Sequence, residues 1–189
     1  MSSFIHLNNH SDFSLLESSQ SIQSIIDRAK ELSMDSIAIT EKGNLFSMVS
    51  FYKYAKQKDI KPIIGCEINI INNLQSIKSS HKSIKPSSLV LLAKNNIGYL
   101  NLMKLVSLSY VQHTHHTPMI DKLLLQEFSS GLIAMSAGLN GEIMQNILIN
   151  NLHQAKDIIC EYKNIFNDNF YLEIQNHNIK EELESHNSL

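Results

Sequence analysis

Apolar positions recur along this chain in two alternating rhythms. Ile22, Ile25, Ile26, Ala29 and Leu32 fall at the three- and four-residue spacing of an amphipathic helix. They predict a helix over about 21–33, with Ser19, Gln20 or Ser21 as its cap. Met48, Val49, Tyr52 and Ala55 repeat the stripe and predict a second helix around 45–58. Short apolar, β-branched runs lie between such segments. "SIAIT" (36–40), "KPIIGCEINI" (61–70), "SLVLLA" (88–93), "GLIAMSAG" (131–138) and "FYLEIQNH" (170–177) read as strands, and Phe4 to Leu7 as a shorter one. Pro62 stands at the start of its strand, where a missing N–H is tolerated. Further helices are predicted from Ile97, with Leu100, Met103, Leu105 and Val106 inward, at 121–128, 140–149 and 151–165, and in the polar tail. Residues 72–87 are polar and serine-rich, a surface loop or edge hairpin, and "QHTHHTP" is a loop.

Strands beginning near 4, 36, 62, 88, 131 and 170, alternating with helices, predict a parallel sheet, open or closed into a barrel. No repeat and no low-complexity linker divides the chain, so residues 1–189 read as one domain. Composition narrows the function classes. With 43% hydrophobic residues the chain can bury a core. A net charge of -2 gives no overall pull toward DNA, so contact with nucleic acid needs a local basic patch. Two distant cysteines, Cys66 and Cys160, give neither a disulfide framework nor a CxxC motif, which suits a reducing, cytoplasmic setting. No signal peptide is evident, and no apolar run is long enough to span a membrane.

In parallel α/β folds functional groups collect at the C-terminal strand ends. Asn8 and His10, Glu41 and Lys42, Glu67, Gly138 and His177 follow successive strands here, and Ser88 opens the fourth. His10, Glu41, Glu67 and His177 would supply two imidazoles and two carboxylates around one point, a set suited to zinc, manganese or iron. Other features read more simply. His6 is expected to be a hydrogen-bonded structural residue, and His113, His115 and His116 to lie in a solvated loop. Cys66 reads as a small buried apolar residue. Lys42 is placed to pair with Glu41 or Glu67 where a metal would sit, and Lys53, Lys56, Lys58 and Lys61 form a basic run expected on a solvated face, with a DNA or subunit contact as the lesser reading.

Five blocks, "HLNNHSDFSLLES", "IAITEKGNLFSMVSFYKYAKQKDIKPIIGCEINI", "LVLLAKNNIGYLNLMKLVSLSY", "GLIAMSAGLNGEI" and "FYLEIQNH", together resemble the N-terminal PHP domain of the alpha subunit of bacterial DNA polymerase III, a C-family replicative polymerase. "AKNNIGYLNLMKL" is the most discriminating of them, since other PHP proteins share the metal motifs without it.

The resemblance implies a distorted (β/α)7 PHP barrel, here incomplete and lacking its last strand or strands. It implies a metal site in which His10, Glu67 and His177 are kept and Glu41 stands for an aspartate. Asn8, Lys42, Ser88 and Gly138 occupy positions where the family carries histidine, histidine, histidine and cysteine. A further Asp-x-His motif would fall beyond Leu189. A catalytic metal needs about three protein ligands and an open position, so the expectation is a vestigial site, with no catalytic residue in this chain and at most a weakly held zinc or manganese ion. Magnesium and the polymerisation chemistry would belong to the rest of the polymerase. The implied partners are the polymerase core of the same subunit, the proofreading exonuclease subunit and, through the holoenzyme, DNA. Two other readings remain open: a metal-dependent 3′–5′ exonuclease or phosphoesterase, and a truncated remnant made poorly soluble by unpaired sheet edges.

Overall fold

The computed structural model of the chain describes residues 4–73, 86–111 and 117–182. The first helix, α1 (Ile22–Glu31), starts where the Ser21 hydroxyl accepts a hydrogen bond from the Ser24 amide at 3.2 Å, the cap its sequence predicts. Then come β1 (Ser36–Lys42), α2 (Met48–Gln57), β2 (Lys61–Ile71) and β3 (Ser87–Ala93). The long α3 (Asn96–Val111) is followed by β4 (Ile120–Asp121), α4 (Lys122–Glu127) and β5 (Leu132–Met135). A single 3-10 turn leads into α5 (Glu142–Leu148) and α6 (Leu152–Phe166), and the chain reaches β6 (Phe170–Tyr171).

The sheet is mixed, not parallel as its strand–helix alternation predicts. Its order is β1-β2-β3-β5-β6, with β4 beside β2, and β3 runs antiparallel to both neighbours. The apolar runs that predict strands do not fix strand direction. Among the described residues the sheet does not close into a complete barrel. The predicted opening strand at 4–7 is an irregular segment, although the carbonyls of His6 and Asn9 accept hydrogen bonds from the Ala38 and Thr40 amides on β1. The predicted strand at 170–177 is regular only at Phe170–Tyr171. These two edges meet through side chains: Asn8 Nδ2 donates to Glu173 Oε1 at 2.8 Å.

One large core lies between the sheet and α3, α5 and α6, built on Ile68, Leu91, Leu102, Leu105 and Ile158. A second joins α1 and α2 to β1 through Ile26, Ile39 and Phe51. Two helix faces differ from their predicted orientation. In α2, Phe51 is buried while Val49 and Tyr52 are exposed. In α3, Leu102 and Leu105 are buried while Ile97 and Leu100 are exposed, because that helix is apolar all round and periodicity does not select a face. Gly98 fixes how α3 docks. A Cβ there would sit 1.8 Å from the Gly131 carbonyl oxygen, so only glycine permits this approach to the start of β5. The helix of the polar tail falls largely outside the described residues, and so does the HTHH stretch.

Candidate metal centre

The pairing of β1 with β2 sets Lys42 opposite Glu67, and the pairing of β2 with β3 sets Ser88 beside them at Asn69. Glu67 is the centre of the resulting group. Its carboxylate is 4% exposed, and Oε1 accepts a hydrogen bond from Ser88 Oγ at 2.6 Å. His10 Nε2 stands 3.3 Å from Oε2, at ion-pair distance but outside hydrogen-bond geometry. The Lys42 ammonium lies 4.0 Å from Oε1 and makes its closer contact, 2.9 Å, with Glu17. Burial alone pushes the Glu67 carboxyl up. The contacts of His10 and Ser88 and the nearby charges of His10 and Lys42 outweigh it, so the group is held below its ordinary value.

The other predicted residues turn elsewhere. Glu41 is fully buried, and both its oxygens accept hydrogen bonds from the Ser11 and Ser14 hydroxyls. The Ser11 amide adds a third at 3.2 Å. Asn8 Oδ1 accepts from the Thr40 hydroxyl at 2.7 Å while its amide reaches Glu173. Gly138 has φ +51°, and a Cβ there would come 2.5 Å from Gln175 Oε1, so Gln175 occupies the space a longer side chain would need. His177 is exposed and held by Glu182 Oε1 at 2.6 Å. The chain therefore brings His10, Glu67, Ser88 and Lys42 together and leaves Glu41 and His177 engaged apart from them. Sequence reasoning missed Ser11, Ser14, Glu17 and Glu182. The Ser11–Ser14 spacing on one turn is a faint signal; Glu17 and Glu182 carry none. Cys66 is fully buried beneath this group, its thiol pushed up to about 12 chiefly by burial. His6 is exposed and packs edge-on against Phe4, ring centroids 4.9 Å apart.

These residues do not fit a resident metal ion. One imidazole nitrogen and one carboxylate are the donors that converge, and a cation stands where another donor would be needed. Among the described residues no group of three His, Cys, Asp or Glu is placed to hold a metal ion.

The PHP domain model matches residues 6–177. The chain belongs to the PHP domain family. DNA polymerase III subunit alpha of Borreliella burgdorferi is 46% identical over 182 residues, covering 96% of this chain and 16% of its own length. That of Helicobacter pylori strain 26695 is 42% identical over 186 residues, covering 93% and 15%. That of Thermus aquaticus is 38% identical over 183 residues, covering 95% and 15%. This PHP module thus spans about a sixth of the length of the curated relatives it matches. Among solved structures, an amidohydrolase from Chromobacterium violaceum aligns over 56% of this chain and 32% of its own, with 17% identity and a TM-score of 0.42. No helix among the described residues is long and apolar enough to cross a membrane.

Proposed function

We propose that this PHP module is the platform domain of a cytoplasmic DNA polymerase III alpha subunit. Its vestigial centre, reduced to His10, Glu67, Ser88 and Lys42 with Glu41 and His177 engaged elsewhere, works as a metal-free polar group that stabilises the strand ends. The module packs on the polymerase core of the same subunit and docks the proofreading exonuclease subunit, and the holoenzyme carries both to DNA. The observation behind this reading is the Lys42 ammonium, 4.0 Å from the buried Glu67 carboxylate and 2.9 Å from Glu17. It supplies the positive charge a metal would otherwise bring, without an exchangeable position for water. A positive charge fixed on the chain neutralises a buried carboxylate but generates no metal-bound nucleophile.

The test has two arms on the 189-residue chain. The chain is mixed with the proofreading exonuclease subunit from the same source and sized by multi-angle light scattering. End-labelled single-stranded DNA is incubated with the chain alone, with added manganese or zinc and with EDTA. A stable complex and no metal-dependent hydrolysis support the platform role. EDTA-sensitive hydrolysis that disappears in Glu67→Gln would replace it with a metal-dependent phosphoesterase.

A further inference from the structure

The candidate centre lies where β1 and β2 end and β3 begins. At the opposite end of the same strands, a groove of about 750 Å³ runs between α2 and α3, over the start of β2 and the end of β3. Ile64 contributes to the floor, half-buried. Tyr52 from α2, 48% exposed, and Tyr99 from α3 form the walls. Lys53, Lys61 and Lys94 line the groove from α2, β2 and the residue after β3.

Among the described residues no acidic side chain lines this groove. Some cations elsewhere are matched: Lys58 lies 2.7 Å from Asp27, Lys122 2.9 Å from Glu142 and Arg28 2.9 Å from Glu31. Among the described residues none of the three groove lysines makes such an ion pair, and Lys94 donates to the neutral Asn169 Oδ1 at 3.0 Å. A fourth ammonium, Lys56, stands 5.8 Å from the centre of the Tyr52 ring. On a chain of net charge -2 this is a local concentration of uncompensated positive charge. It is the kind of patch that contact with nucleic acid requires. Two aromatic rings and three ammonium groups lining one concavity suit a flexible strand that carries both bases and phosphates. An acidic peptide would satisfy the lysines and leave the two rings without stacking partners.

We infer that this groove holds a short stretch of single-stranded DNA, with phosphates on Lys53, Lys61 and Lys94 and bases against Tyr52 and Tyr99. The site is separate from the candidate metal centre and from the docking role proposed above. Its failure would leave metal content and exonuclease capture unchanged.

The test is fluorescence anisotropy of labelled dT12 with the 189-residue chain over a salt series. Three phosphate contacts predict a salt slope of about -2, with dissociation constants of about 10⁻⁴ to 10⁻⁶ M. The triple variant Lys53→Glu, Lys61→Glu, Lys94→Glu loses binding. A control triple on exposed helix positions, Lys30→Glu, Lys156→Glu, Lys163→Glu, carries the same charge change and keeps it. Tyr52→Ser, at an exposed position, weakens binding about 5- to 100-fold without threatening the fold, and carries the test if the groove triple fails to fold. Equal losses in the two triples would overturn the inference, as would no effect of Tyr52→Ser. A labelled deca-aspartate binding as tightly as dT12 would overturn it too, assigning the groove to an acidic protein segment.

Discussion

Replacing Ser88 with alanine removes the hydrogen bond that most directly supports the buried Glu67 carboxylate. Ser88 is 6% exposed and its hydroxyl donates to Glu67 Oε1 at 2.6 Å. Water reaches neither partner easily, so the carboxylate loses a donor and gains little in exchange. Hydrogen bonds to charged groups contribute about 1.5–3 kcal/mol. With a urea dependence of about 1–3 kcal/mol per molar, Ser88→Ala should lower the unfolding midpoint by about 1 M at neutral pH. The effect has a sign in pH. Glu67 is held below its ordinary value of 4.5 in the folded chain, so its contribution is fully present above that pH. It is lost as pH falls through the lower folded value. The difference between Ser88→Ala and the parent chain should therefore be constant from neutral pH down to about 5 and shrink below 4.5. Paired urea titrations across that range measure it. A neutral-pH loss under about 0.5 kcal/mol, or a loss that does not shrink on acidification, would refute the view of Glu67 as a charged, hydrogen-bonded keystone.

Gly98→Ala should destabilise by more than about 3 kcal/mol, because the new methyl meets the Gly131 backbone rather than a movable side chain; thermal melts read it directly. Gly138→Ala combines a φ of +51° with the Gln175 contact and should cost about 1–2 kcal/mol, part of which Gln175→Ala returns. Thiol titration of the native chain should count one fast group, the exposed Cys160, and a second only after denaturation, because Cys66 is fully buried with its thiol pushed up to about 12. Lys42→His exchanges the cation for a neutral donor beside His10 and Glu67. It should raise zinc uptake measured by elemental analysis and change stability; no change in either would sink the view that Lys42 stands in for a metal.

The helices and central strands were legible because their apolar spacing is decided locally. Ile22, Ile25, Ile26 and Ala29 bury one face of α1, and the runs around Ile39, Ile68 and Leu91 become β1, β2 and β3. Strand direction was not legible. "SLVLLA" is equally apolar whichever way it runs, so its pattern does not say that β3 lies antiparallel to β2 and β5. The exposed Leu100 and Val49 escaped prediction for a related reason, since an apolar residue marks a possible face and not its covering. At the candidate centre, strand-end positions suggested that His10, Glu41, Glu67 and His177 meet, and Ser88 entered only through the family resemblance. They did not disclose that the Ser11 and Ser14 hydroxyls take both oxygens of Glu41. Nor did they show that Lys42 reaches Glu17 more closely than Glu67. Those partners lie far apart in sequence and are joined by the fold, so no spacing rule announces them.

Metal stoichiometry tests the central claim most directly. The 189-residue chain is equilibrated with zinc and, separately, with manganese, freed of unbound ion, and its metal content measured per chain. A group built around Lys42, His10 and Glu67 predicts well below one equivalent of either ion, unchanged in Glu67→Gln. One equivalent or more, lost on Glu67→Gln or His10→Ala, would contradict it and make this a working metal centre.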